Sequence, residues 1–164
     1  MVSSMADPVT DHAVTGAPAR TRIQLAALVV GVVFLLVGVL GFVPGVTTNY
    51  DQLTFAGLHS EAALLGIFNV SILHKIVHLL FGVAGVLTAR TFMAARTYLI
   101  GGGFVYLALF LYGIVIDQDS AANFVPVNTA DNYLHLGLGI GMIALGAILG
   151  RQAPVGATST TSRV

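Results

Sequence analysis

The sequence predicts an all-α fold, a four-helix transmembrane bundle built of two helix-loop-helix hairpins with both termini cytoplasmic. Three observations carry that expectation. The 164-residue chain is 56% hydrophobic and only 9% charged, far outside the composition of soluble domains. Its apolar residues gather into four runs of about 20, the length that crosses a hydrocarbon core of roughly 30 Å at 1.5 Å per residue. Every arginine, finally, falls on one side of the topology those runs define.

Residues 1–22 are rich in Ser, Thr, Ala, Pro and charge without an apolar period, and read as a disordered cytoplasmic tail ending in Arg20 and Arg22. The membrane domain covers 23–150, with spans at about 23–43, 70–89, 98–116 and 129–149. The first is too long for a signal-peptide core and no A-x-A-like site follows it, so it reads as an uncleaved helix closed by Pro44-Gly45. A short link, "RTFMAAR", joins the second and third spans between Arg90 and Arg96. Residues 151–164 form a second disordered tail with Arg151 and Arg163. The positive-inside rule places this arginine-bearing side in the cytoplasm, with Lys75 the one basic exception. The opposite side holds Asp51, Glu61, Asp117, Asp119 and Asp131.

The first outer loop contains "LTFAGLHSEAALLGIF", in which Leu53, Phe55, Leu58, Leu64, Leu65 and Ile67 are too apolar for a freely solvated linker. The pattern predicts an interfacial segment, a short helix entered at Ser60 with Glu61 in its first turn.

Aligned on their histidines, "HKIVHLLFG" and "DNYLHLGLG" match His74 with Asp131, His78 with His135 and Gly82 with Gly139. Asn69 and Asn128 stand where they would cap the two helices, and Asp131 suits a first turn. Capping does not account for His78 and His135, which lie about two turns inside. Residues at i and i+4 share a helix face, so His74 projects with His78, and Asp131 with His135. If the second and fourth helices are neighbours, these four groups converge near the outer face, and Gly82 and Gly139 open room beneath the deeper histidines. Lys75, next to His74, is expected to turn away from that point.

Three readings of the cluster follow. The first is structural: the histidines, Asp131, Asn132, Asn69 and Ser71, with Asn128, hydrogen-bond across helices and clamp the outer half of the bundle, each pair contributing about 0.6 kcal/mol. The second is a transition-metal site, zinc or copper, held by His74, His78, Asp131 and His135. The third is haem b ligated axially by His78 and His135. Proton or solute passage has less to rest on, because the inner halves of the spans hold no ionisable residue. With no cysteine, no G-x-S-x-G elbow and no phosphate-binding glycine loop, no catalytic set emerges and the chain reads as non-enzymatic. Zero net charge without a Lys/Arg run argues against nucleic acid. The partner is the lipid bilayer, with a homo-oligomer or a larger membrane complex assembled through glycine faces.

The stretches "LLGIFNVSILHKIVHLLFGVAGVL" at 64–87 and "VPVNTADNYLHLGLGIGMI" at 125–143 carry the motifs HxxxHLLxG and VNxADNxLHLxLG. On these the chain resembles a family of small four-helix membrane proteins common in actinobacteria and known only as a domain of unknown function. The resemblance covers roughly residues 24–150. It implies a four-span plasma-membrane protein and no activity. It singles out Asn69, His74, His78, Asn128, Asp131, Asn132 and His135, with Lys75 a departure where an uncharged polar residue is expected.

Overall fold

A computed structural model describes residues 19–57 and 59–151. The tails expected over 1–22 and 151–164 therefore lie almost wholly outside the described residues, as does Leu58. Four helices dominate: α1 at Arg22–Leu40, α2 at Ile72–Thr88, α3 at Phe92–Val115 and α4 at Thr129–Leu149. Three of them, α1, α3 and α4, are long and apolar enough to cross a membrane. The fourth, α2, is apolar over 17 residues, about 26 Å at 1.5 Å per residue. Large apolar side chains on the outward faces, among them Leu36, Leu80, Phe104 and Ile148, stand exposed. That is the surface a bilayer covers in a membrane helical bundle.

The expected span over 129–149 coincides with α4, and the other boundaries move. Helix α1 stops at Leu40, capped at Gly41, because the chain turns there through Phe42 N–H to the Val39 carbonyl and Val43 N–H to the Leu40 carbonyl. Helix α3 begins six residues before the expected Tyr98: the Thr91 hydroxyl accepts the Ala94 N–H at 3.3 Å and caps it. The "RTFMAAR" link is thus mostly first helical turn.

The helix expected at Ser60 does not form. In its place β1 (Thr47–Thr48), β2 (Ala63–Leu64) and β3 (Phe68–Asn69) make a small antiparallel sheet in the order β1-β2-β3. The chain reverses between β2 and β3 through Leu65 at φ 54° and Gly66 at φ 71°, a left-handed pair that no α-helix continues through. Ser60, rather than capping a helix, donates its hydroxyl to the Val70 carbonyl at 2.5 Å. The loop folds over the start of α2, whose Ile72 and Leu73 N–H groups donate to Thr54 and Phe55 carbonyls, filling helix-end donors that have no intrahelical partner. A Gly57 N–H to Phe124 carbonyl bond at 2.8 Å joins the two loops at this end.

Backbone contact sets the helix pairing. A Cβ on Gly85 of α2 would stand 2.6 Å from the Gly31 Cα of α1, and one on Gly103 of α3 would stand 2.8 Å from the Gly139 carbonyl of α4. Small residues permit this approach where lipid supplies no hydrophobic drive for association. Between the pairs lies an aromatic core: Phe34 stacks on Tyr106 at 5.5 Å, and both meet Phe81 edge-on.

Candidate functional site

The polar residues at the loop end separate into two sets with different surroundings. The first set is hydrogen-bonded to other elements, although Asn132 Oδ1 is itself buried without a partner. Asn128 caps α4 by accepting the Asp131 N–H at 3.0 Å, while Asp131 Oδ2 accepts the Asn128 N–H at 3.0 Å, a reciprocal capping box. The same Oδ2 accepts the Asn69 N–H from β3 at 3.0 Å, and the Asn128 amide donates to the Ile67 carbonyl at 2.8 Å. Asn132 donates across to the Gly113 carbonyl of α3 at 3.0 Å. These bonds fasten α4 to the sheet and to α3.

Asn69 does not cap α2. Ser71 does, its hydroxyl accepting the His74 N–H at 3.2 Å, and Asn69 contributes its backbone to β3. Asn132 faces α3, away from the histidines.

The second set is the imidazoles, which the fold brings together. His74 stacks on His78 with ring centroids 4.7 Å apart and reaches His135 at 6.3 Å. His78 lies 5.5 Å from Phe34, and His135 the same distance from Tyr106. Among the described residues no imidazole hydrogen-bonds across helices, so the expected clamp runs through Asp131, Asn128 and Asn132 alone. His78 Nδ1 lies 3.0 Å from the His74 carbonyl, one turn back. A carbonyl only accepts, so Nδ1 carries the proton and neutral His78 offers its lone pair at Nε2. Nδ1 of His74 and of His135 is buried with no hydrogen-bond partner.

Two chambers flank this trio, and His74, His78, His135 and Tyr106 border both. One, of about 210 Å³, lies between α1 and its cap (Val37, Gly38, Gly41) and α4 (Leu134, Leu138) beneath the sheet. The other, of about 290 Å³, lies between α2 (Leu73, Val77) and α3 (Val105, Leu109) beneath Phe124 and Val125. The space follows from the helix pairing: glycines close the α1–α2 and α3–α4 contacts, and the two remaining seams stay open. Gly82 and Gly139 make no room under the histidines, contrary to expectation. A Cβ on Gly82 would strike Leu35 and Gly31 of α1, and one on Gly139 would strike Leu107 and Gly103 of α3.

Lys75 also departs from expectation. It is 2% exposed and lines the smaller chamber. Its Nζ sits 5.1 Å from the Phe42 ring centroid and 5.0 Å from that of Tyr50, with no hydrogen-bond partner. The two rings offer it cation–π contact. An adjacent position on a helix turns only about 100°, and the loop closing over α2 supplied the cover that neighbouring helices alone would not.

Asp131, expected among metal ligands, borders the smaller chamber with its Oδ2 already accepting two N–H groups. Among the described residues no three His, Asp or Glu side chains stand placed to share one ion. Sequence reasoning missed Phe34 and Tyr106. The signal was there: "GVVF" at 31–34 and "GFVY" at 103–106 place an aromatic ring three residues after each contact glycine, on the same helix face.

No curated protein and no solved structure matches the chain. Residues 24–148 match the family described as Domain of unknown function (DUF4383). That match takes in all four helices except the outermost residues of α1 and α4, together with the whole polar cluster, and the chain belongs to this family.

Proposed function

We propose that this is a non-enzymatic binding unit of the plasma membrane, two helix hairpins with both termini cytoplasmic, which holds a ligand at its imidazole trio. Asp131, Asn128 and Asn132 fasten the bundle, and the imidazoles of His74 and His135, with Nε2 of His78, are left for recognition. The observation behind this reading is the buried, unpartnered Nδ1 of His74 and of His135 beside two chambers. Buried polar groups without partners are rare in folded proteins and costly, by about 1–3 kcal/mol each. A site that retains two of them, next to space, is suited to a partner from outside the chain.

The test is His135→Leu in purified protein. If the imidazole serves a ligand, the apolar replacement leaves the ligand-free melting temperature unchanged or raised. Native mass spectrometry of protein drawn from the membrane then finds a bound species in wild type that the variant lacks. A large loss of stability with no difference in bound species returns the histidines to a structural role.

A second reading, a zinc or copper ion, has its own support in His78. An Nδ1–H tied to a carbonyl and a free Nε2 lone pair is the arrangement that orients a ligating histidine. His74 and His135 would have to swing toward that Nε2 to complete a site. Haem b between His78 and His135 draws less support, because the rings of Phe34 and Tyr106, stacked on each other, pack tilted against those two imidazoles at 5.5 Å.

A further inference from the structure

The smaller chamber is graded from end to end. At its loop end sits the Lys75 ammonium, nearly fully buried and without a hydrogen-bond partner. Along its length, walls from α1 and α4 present Val37, Gly38, Leu134 and Leu138. Two of its lining residues, Leu134 and Leu65, are 40% and 63% exposed.

We infer that this α1–α4 chamber binds a single-chain carboxylate amphiphile, a long-chain fatty acid that enters laterally from the bilayer. The inference rests on the binding-unit reading above and names the ligand class.

Three features select this occupant. The first is charge. A lone buried ammonium is costly without a counter-ion, and the one carboxylate on the chamber wall, Asp131, turns Oδ2 to the N–H groups of Asn69 and Asn128. A monoanionic head supplies the missing charge to Lys75, and an N–H of His74 or His135 completes its hydrogen bonding. The second is size. A volume of about 210 Å³ falls below the 300–1,000 Å³ of sites that enclose a whole drug-sized ligand, so it takes the head and proximal methylenes while the tail continues along the seam into lipid. A two-chain phospholipid does not fit that space. The third is direction. Polar groups stand at the end of the bundle and apolar walls run inward, the orientation in which a leaflet amphiphile already lies.

The test uses full-length protein, delipidated in detergent, with radiolabelled palmitate as probe and hexadecanol as the uncharged control. Palmitate is expected to bind saturably at a single site and more tightly than hexadecanol. Lys75→Met should weaken palmitate by about tenfold or more, the scale of losing a partner in a buried charge pair, and leave hexadecanol unchanged. Leu134→Trp, which fills the seam, should weaken both. Equal affinity for acid and alcohol in wild type overturns the inference, as does undiminished palmitate binding by folded Lys75→Met. The wild-type comparison decides even if Lys75→Met does not fold. Absence of palmitate binding in protein that still carries a species lost in His135→Leu sinks the fatty-acid assignment and leaves the binding-unit reading intact. Absence of both sinks the two together.

Discussion

Replacing Asp131 with alanine separates the bonds that hold the bundle from the groups that do not. Its Oδ2 accepts backbone N–H groups from Asn69 and Asn128, both at 3.0 Å, and its residue is 2% exposed. Hydrogen bonds to a charged acceptor contribute about 1.5–3 kcal/mol each, and donors left buried without a partner cost about 1–3 kcal/mol. The Asn128 N–H lies at a helix end, where water recovers part of that loss, so the sum for Asp131→Ala is about 3–4 kcal/mol. Asp131→Asn keeps an accepting oxygen and gives up the charge, for a loss of about 1–2 kcal/mol. Reversible unfolding in mixed dodecyl maltoside and SDS micelles, followed by circular dichroism, reads both values. Under the same conditions His135→Leu should shift stability by little or should raise it. An Asp131→Ala protein within about 0.5 kcal/mol of wild type, or a His135→Leu protein that falls as far as Asp131→Ala, refutes the division of the cluster into clamp and free imidazoles.

Two further outcomes follow from helix contacts and from charge. Gly85→Ala should lower stability by about 1–3 kcal/mol or more in the same assay, because the added Cβ meets the Gly31 Cα at 2.6 Å. Gly137→Ala, with nothing within 4 Å of its Cβ, should be neutral or stabilising by up to about 1 kcal/mol. Equal losses would show that the α1–α2 contact is not a backbone contact. The chain has no cysteine, so Ala121→Cys and Met93→Cys report topology directly. A membrane-impermeant maleimide added to intact cells should label position 121, and position 93 only after permeabilisation; the reverse pattern inverts the proposed orientation.

The parts legible in the sequence were those governed by local chemistry. Helix α4 has the boundaries expected of it because Asn128 and Asp131 form a capping box within four residues of chain. The convergence of His74 with His78 needed only the i, i+4 rule. Where a boundary depended on an uncharged cap inside a mixed segment, as at Thr91, the two arginines of "RTFMAAR" suggested a link and the helix ran through it. The sheet in place of the helix at Ser60 was hidden because "EAALLGIFN" has helix-compatible composition. Its fold turns on a left-handed Leu65-Gly66 pair and on strand partners more than ten residues away.

The histidine cluster was visible as residues and misread in its wiring. Hydrogen-bond partners such as the Asn69 N–H for Asp131 and the Gly113 carbonyl for Asn132 lie on other elements, and no spacing rule within one helix names them. Lys75 was misplaced for the same reason: its cover comes from Phe42 and Tyr50, which reach it only once the loop has closed over α2.

By itself the sequence determined a membrane protein of four apolar helices with a polar end, because hydrocarbon thickness fixes helix length and the cost of burying charge fixes where ionisable residues stand. The tertiary structure alone decided which seams close on glycine and which stay open. It also decided that Asp131 Oδ2 would accept two backbone N–H groups while the imidazoles and the ammonium came to line a chamber. Those outcomes depend on which backbones touch across the bundle, a relation between segments distant in sequence that no single stretch encodes.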